Sequence, residues 1–289
     1  MILRLRERAL DLGQPVLMGV LNATPDSFSD EQRPKDPGEL AERGHALVAE
    51  GAAIVDVGGE SGRTDTVAVP VDEEAARVVP LVERLAGAGV LVSVDTWRAP
   101  VARRALAAGA AMVNDVSGLA DPELAGACAE TGAALVITHT RTPPKTKAFP
   151  AYDDVVEEVA AFLGERVELA RAQGVGEERL VLDPGIDLAK TPAESVELLR
   201  SLPRLAEHGL PLLLAVSRKD FVGALTGRPP AARDPGTLAA VGAALRGGAR
   251  ILRVHDVAGA RDYLSVHAAL EDGAERSLEL AEGMRREAV

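Results

Sequence analysis

The chain has 289 residues, of which 47% are hydrophobic and 26% charged, a composition typical of a globular protein with a large core. A formal charge of −12 argues against general nucleic-acid binding, so any phosphate site has to be built from local basic residues. No apolar run is long enough to span a bilayer and the N-terminus lacks the features of a signal peptide, so we expect a cytoplasmic protein without a membrane partner.

Eight short apolar runs recur along the chain, as expected for parallel strands that are buried on both faces. They cover 16–21, 53–57, 91–94, 111–113, 134–137, 180–182, 211–216 and 251–254. Segments with helical periodicity lie between them, notably 40–50, 73–85, 100–108, 155–172 and 237–245. The order therefore alternates strand and helix from end to end.

This alternation predicts an α/β fold, a single (β/α)8 TIM barrel. About 250 residues are typical of such a barrel, so we predict one domain over 1–289. A doubly wound open sheet is the structural alternative. It would need a glycine-rich turn after its first strand, and that turn reads NATPDSF here.

Polar side chains follow every one of the eight runs. In a barrel the C-terminal ends of all strands face one mouth, so these side chains should meet there. Taken singly, each could be a surface charge, a helix cap or a buried imidazole, but a polar group at all eight ends favours a site. The group includes Asn22, Glu60, Arg63, Asp95, Asn114, His139, Asp183, Lys219, Arg253 and His255.

One set of these residues suits a flat heterocycle with amino and ring N–H donors. Its carboxylates accept hydrogen bonds, its amide can donate and accept, and its ammonium donates. The set is Asp95, Asn114, Asp183 and Lys219.

A second set suits a pyrophosphate. Its two guanidinium groups can each chelate phosphate oxygens, and its amide oxygen could hold Mg²⁺. The set is Asn22, Arg63, Arg253 and His255.

Motifs in a fixed order resemble the dihydropteroate synthase family nearly end to end. They read LNATPDSFSD at 21–30, VDVGGES at 55–61, SVDTWRAPVARRALAAGAAMVNDVSG at 93–118, LDPG at 182–185, SRK at 217–219 and RVHDV at 253–257. The resemblance implies a usually dimeric transferase of folate biosynthesis. Such an enzyme joins 6-hydroxymethyl-7,8-dihydropterin pyrophosphate to para-aminobenzoate with Mg²⁺ assistance.

The resemblance also implies roles for single residues. Asp95, Asn114, Asp183 and Lys219 would bind the pterin. Asn22 would hold Mg²⁺ and pyrophosphate, Arg253 and His255 would grip that leaving group, and Arg63 would help to close the site. The expected catalytic residues are Asp95, Lys219, Arg253 and His255.

Departures from the family pattern cluster in the loops. The usual ESTRPG is ESGRTD at 60–65, MHMQG is THTRT at 138–142, and FGFGK is IDLAK at 186–190. These changes leave both residue sets intact but alter the expected aminobenzoate pocket through Gly62, Thr64, Thr138, Thr140 and Leu188. Leu188 stands where an aromatic ring would pack on the benzoate, and it supplies apolar area without stacking.

Three functions therefore stay open. The first is an active dihydropteroate synthase with variant loops. The second is another pterin-binding barrel, such as a methyltetrahydrofolate:corrinoid methyltransferase, which would have no use for a pyrophosphate site. The third is a pterin-binding paralogue without synthase activity.

Overall fold

Eight parallel strands close into a barrel in the computed structural model, which describes residues 1–24, 36–60 and 67–271. The barrel runs from β3 to β10, and its last strand pairs with its first, as in the register of Leu252 with Leu17. This closure confirms the predicted TIM barrel, and the open doubly wound sheet is wrong. The strands are β1 Ile2–Leu5, β2 Arg8–Asp11, β3 Val16–Asn22, β4 Ala52–Gly58, β5 Val92–Asp95, β6 Met112–Asp115, β7 Ala134–Thr138, β8 Leu180–Asp183, β9 Leu212–Leu214 and β10 Ala249–Val254.

The helices surround the barrel and bury one face each against it. The periodic segments of the sequence fall on five of them to within three residues at each end. Within the described ranges, no helix is both long and apolar enough to cross a membrane. The helices are α1 Pro37–Glu50, α2 Val71–Gly87, α3 Ala99–Ala107, α4 Glu123–Thr131, α5 Val155–Ala172, α6 Pro192–Arg200, α7 Leu202–Ala206, α8 Asp220–Thr226, α9 Asp234–Arg246 and α10 Val257–Glu271.

An antiparallel hairpin of β1 and β2, which the sequence analysis did not predict, seals the N-terminal end of the barrel. Its leucines Leu3 and Leu5, together with Leu12, are buried and pack with interior strand residues such as Met18 and Ile54. The opposite, C-terminal end is left for the polar side chains that follow the strands.

Arg6 fixes the turn of this hairpin to the barrel wall. Its guanidinium donates to the carbonyl oxygens of Leu106 at 2.9 Å and Ala110 at 3.2 Å, and its own N–H donates to the carbonyl of Gly132. The hairpin is therefore held by hydrogen bonds at its tip and by apolar burial along its length.

Candidate active site

A cavity of about 440 Å³ opens at the C-terminal mouth of the barrel. All four members of the predicted heterocycle set line it, and so does Arg253 from the predicted pyrophosphate set. Each side chain comes from the end of a different strand or from the loop behind it, because the parallel barrel directs those ends to one side.

The Arg253 guanidinium lies between two carboxylates. Its Nε donates to Asp56 Oδ2 at 2.6 Å and its Nη2 donates to Asp95 Oδ2 at 2.7 Å. Asn114 Nδ2 donates to the same Asp56 oxygen at 3.0 Å. The two sets that the sequence analysis kept apart are therefore joined in one hydrogen-bonded network.

Sequence reasoning missed Asp56, which is fully buried in β4. It lies in the middle of the apolar run 53–57, whereas the candidates were taken from the last residues of each run or from the residues after it. A signal was present, because a carboxylate that interrupts a buried strand needs a charged or hydrogen-bonding partner.

Burial raises the pKa of Asp95 to about 7, although the nearby Arg253 charge lowers it. Asp56, Glu74 and Asp115 add to the increase by charge repulsion. Burial disfavours the charged form of Arg253, but Asp56 and Asp95 outweigh it and raise its pKa above the ordinary value, so the guanidinium stays charged.

Asp183 and Lys219 both line the cavity, and their opposite charges attract each other. Burial raises the pKa of Asp183, whose Oδ1 accepts a 2.7 Å hydrogen bond from the N–H of Gly185. Burial lowers the pKa of Lys219, and the charges of Asp187 and Asp183 oppose that shift. Each charge thus makes the other less costly to bury.

The SRK segment at 217–219 is fixed from α9 and β10. Arg218 donates from Nε and Nη2 to the two carboxylate oxygens of Asp234, at 2.8 and 3.0 Å. Arg233 Nη1 donates at 3.0 Å to the backbone carbonyls of both Arg218 and Lys219. Lys219 consequently extends from a turn whose backbone is tied down.

His255 lies beside this segment, with its Nδ1 3.0 Å from Ser217 Oγ. Burial and the nearby charge of Arg253 lower its pKa to about 4. The imidazole is therefore neutral near pH 7 without ligand, and a bound pyrophosphate would meet a hydrogen-bonding group there instead of a cation.

Lys190, which lines the cavity, forms a buried pair with His139. Lys190 Nζ lies 2.8 Å from His139 Nδ1 and donates to the carbonyls of Gly185 and Leu188, each at 3.0 Å. Burial lowers the pKa of Lys190 to about 7 and that of His139 to about 3. His139 also packs edge-on against Phe162 at 4.8 Å, which is the behaviour of a core histidine.

Glu60 takes part in ion pairs at the rim of the cavity. Its carboxylate lies 3.1 Å from Arg98 Nη1 and 3.3 Å from Lys145 Nζ. Arg98 also pairs with the fully buried Glu74, which accepts a 2.6 Å hydrogen bond from Thr96 Oγ1. These contacts join the loops after β4, β5 and β7.

Asn22 ends β3 and is half-buried. A Cβ at Gly58 would lie 3.5 Å from its Oδ1, so the glycine leaves space beside that oxygen. The described residues contain no group of three or more His, Cys, Asp or Glu side chains able to hold a metal. A Mg²⁺ ion that takes most of its ligands from phosphates and water fits a single amide oxygen.

Arg63, Gly62 and Thr64 lie outside the described residues. Among the residues expected to shape the second-substrate pocket, Thr138, Thr140 and Leu188 line the cavity. Trp97 and Phe149 line it too, so two aromatic side chains that the sequence analysis did not consider face the same cavity as Leu188.

Comparison with known proteins places the chain in a family. The model of the family described as pterin binding enzyme matches residues 18–255. A dihydropteroate synthase of Mycobacterium leprae is 46% identical over 266 residues, which is 89% of this chain and 94% of that relative. The chain belongs to the dihydropteroate synthase family.

Solved structures of this family share the fold. A Xanthomonas albilineans dihydropteroate synthase with 4-aminobenzoic acid is 43% identical, has a TM-score of 0.87, and is matched over 94% of this chain and 99% of that one. The Xanthomonas albilineans enzyme in complex with 7,8-dihydropteroate is 43% identical with a TM-score of 0.84, over 93% and 98% of the two chains. The ordered motifs of the sequence therefore identified the family correctly.

Proposed function

We propose that this family member joins 6-hydroxymethyl-7,8-dihydropterin pyrophosphate to para-aminobenzoate, giving 7,8-dihydropteroate and pyrophosphate in folate biosynthesis. The observation that carries the proposal is the meeting of Asp95, Asn114, Asp183, Lys219 and Arg253 in one cavity. These residues offer acceptors for the pterin amino and ring N–H groups and donors for its carbonyl oxygen.

The reaction breaks the bond between the pterin methylene carbon and a pyrophosphate oxygen. It forms a carbon–nitrogen bond with the aminobenzoate amine, which then loses a proton. In a dissociative substitution, positive charge spreads from the methylene into the pterin ring as pyrophosphate leaves. An ionised Asp95 next to the ring would stabilise that charge by electrostatic preorganisation. The attacking amine belongs to the second substrate, so the protein needs no nucleophile of its own.

We also propose that Asn22 holds Mg²⁺ and that Arg63, Arg253 and His255 contact the pyrophosphate. The bound ion would neutralise charge on the leaving group. Asn22 fits this role through its strand-end amide oxygen and the space that Gly58 leaves beside it. Arg253 is charged but already paired with two carboxylates. It would therefore contact a phosphate while keeping its ion pair with Asp56 or Asp95.

A cytoplasmic homodimer is the proposed form of the enzyme. An apolar groove of about 510 Å³ lies between α6, α8 and α9, and Leu225 on its edge is 72% exposed. The groove is open to solvent, and an exposed leucine at the edge of an apolar groove is typical of an interaction surface. We assign it to a second copy of the chain.

The test is to mix the protein with dihydropterin pyrophosphate, Mg²⁺ and para-aminobenzoate and to measure dihydropteroate and pyrophosphate together. Stoichiometric formation of both would support the synthase and a working second pocket. Tight pterin binding without product would point to an inactive paralogue or another amine acceptor. Methyl transfer from methyltetrahydrofolate to a corrinoid, without pyrophosphate release, would favour the methyltransferase alternative.

A further inference from the structure

Asp187 stands in the loop between β8 and α6 with φ at +62°, in the left-handed region that favours glycine. The motif comparison places a glycine there in the usual family pattern. A residue with a side chain is strained in this conformation, so we expect contacts of that side chain to offset the strain.

The carboxylate of Asp187 makes contacts in two directions. Its Oδ1 accepts a 3.0 Å hydrogen bond from Ser195 Oγ, and Ser195 is fully buried in α6. Its Oδ2 accepts hydrogen bonds from the backbone N–H groups of Asp220 and Phe221, the latter at 3.4 Å. One side chain thus joins α6, the β8 loop and the first turn of α8.

The first turn of α8 needs such a contact because of what precedes it. Lys219 occupies the N-cap position and makes no side-chain cap hydrogen bond. The first N–H groups of a helix have no acceptor within the helix, and the N-cap residue ordinarily supplies one. Here the N-cap residue faces the cavity, and Asp187 supplies the missing acceptor from another loop.

The next residue along the loop, Leu188, lines the same cavity as Lys219. Its carbonyl accepts a 3.0 Å hydrogen bond from the buried Lys190 ammonium, which fixes the far side of the loop. We propose that Asp187 is a positioning residue whose carboxylate locks the Leu188 loop to the start of α8, so that Leu188 beside the second substrate and Lys219 beside the pterin keep fixed places. The proposal rests on the proposed synthase function.

The charge of Asp187 acts in the same direction. It is the foremost of the charges that raise the pKa of Lys219 against the effect of burial, followed by Asp183 and, more weakly, Asp220, while Arg253 lowers it. Lys190 and His255 also lie within electrostatic reach of Lys219. Asp187 therefore favours the charged ammonium as well as its position.

The test compares Asp187→Gly with a matched control in the same loop, Ala189→Gly. Ala189 is also left-handed, with φ at +53°, so both variants add the same backbone freedom, but only Asp187→Gly removes the hydrogen bonds. For Asp187→Gly we expect the KM for para-aminobenzoate to rise at least fivefold. The KM for dihydropterin pyrophosphate should rise less than threefold, because Lys219 is only one of four residues in the pterin set and the other three stand on barrel strands. Ala189→Gly should change both by less than twofold.

Asp187→Asn supplies the conservative rescue. Asparagine tolerates the left-handed region and can accept from the α8 amides while donating to Ser195 Oγ. Its KM for para-aminobenzoate should stay within threefold of the unmodified chain. An Asn variant as impaired as the Gly variant, or equal effects of the two glycine variants, would overturn the proposal.

Hydrogen exchange at the Asp220 and Phe221 amides tests the same point without turnover. In Asp187→Gly these amides should exchange at least tenfold faster, and in Ala189→Gly at an unchanged rate. Unaltered exchange in Asp187→Gly would show that Arg233 alone holds the turn, and the proposal would fail. If the unmodified chain has no synthase activity, the proposed function fails. The exchange experiment would still test whether Asp187 holds the first turn of α8.

Discussion

At the scale of single residues, the arrangement of Arg253 between Asp56 and Asp95 sets the cost of changing the site. Asp56 is fully buried, and its second oxygen has no hydrogen-bond partner among the described residues. A buried carboxylate in that state depends on the guanidinium for compensation. Mutations at Arg253 should therefore alter stability as well as binding.

We expect Arg253→Met to lower the free energy of unfolding by about 3–5 kcal/mol, because it leaves Asp56 buried without a counter-charge. Urea unfolding of the two proteins measures this difference. His255→Ala, in the same site but outside the ion-pair network, should lower it by about 1 kcal/mol. Both variants should weaken pyrophosphate-dependent pterin binding. Equal stability of the Arg253 variant and the unmodified chain would contradict the assigned pairing.

Asp183→Asn should remove most pterin affinity and leave the fold intact. The loss of a charged hydrogen bond costs about 1.5–3 kcal/mol, which corresponds to a dissociation constant roughly ten to a hundred times higher. Calorimetric titration with the dihydropterin measures the affinity, and circular dichroism checks the fold. Unchanged binding would show that Asp183 does not hydrogen-bond to the pterin.

Asp95 should make the stability of the unliganded protein depend on pH. Its pKa is about 7 in the folded chain and near 3.8 when unfolded, so between these values the folded state keeps a proton that the unfolded state has lost. Its contribution to stability therefore falls as pH rises from about 4 to 7. Unfolding free energies at pH 5 and pH 7 should show a smaller decrease for Asp95→Asn than for the unmodified chain. Parallel curves would refute this.

Several cavity-lining residues at strand ends were predictable from the sequence, since strand ends are recognisable as the close of an apolar run. The sequence did not predict Asp56, which lies within such a run, or the buried Lys190, which reads as a loop charge. Nor could it predict that Arg253 would contact Asp56 across 197 positions of sequence. Pairing between distant residues depends on barrel register, which a single sequence does not specify.

At the scale of elements, strand positions were predictable because continuous apolar runs are the signature of strands buried on both faces. The β1–β2 hairpin was not, because its two four-residue strands, ILRL and RALD, mix leucines with charged residues and resemble a polar N-terminal segment. Only the open end of a barrel, which has to be covered, explains why these leucines are buried.

Leu5→Ala should lower the free energy of unfolding by about 2–5 kcal/mol, because it removes a fully buried side chain from the barrel interior. Ile2→Ala in the same strand is the matched control, since Ile2 is 49% exposed, and its effect should stay within about 0.5 kcal/mol. Thermal and urea unfolding measure both. Michaelis constants should be unaltered in each variant, because the hairpin is at the end of the barrel opposite the site. A similar loss of stability in both would contradict the sealing role.

At the scale of the whole molecule, the proposed homodimer rests on the groove between α6, α8 and α9. Leu225→Glu should convert the proposed dimer to a monomer in analytical ultracentrifugation, because it places a charge on an apolar interface. Leu270→Glu, near the end of α10 where the side chain is 78% exposed and does not line the groove, is the control and should leave the assembly unchanged. An unmodified chain that sediments as a monomer would refute the dimer.

The sealed N-terminal end of the barrel has a consequence for the order in which substrates enter and product leaves. Leu3, Leu5 and Leu12 fill the N-terminal end of the barrel interior, which leaves the C-terminal mouth as the way in for the proposed substrates. Asn114 and Asp183 are 3% and 4% exposed, whereas Phe149, which also lines the cavity, is 54% exposed, so the proposed pterin site is the deeper of the two. On this arrangement the pterin would have to bind before para-aminobenzoate, and the joined product would leave with its benzoate end first.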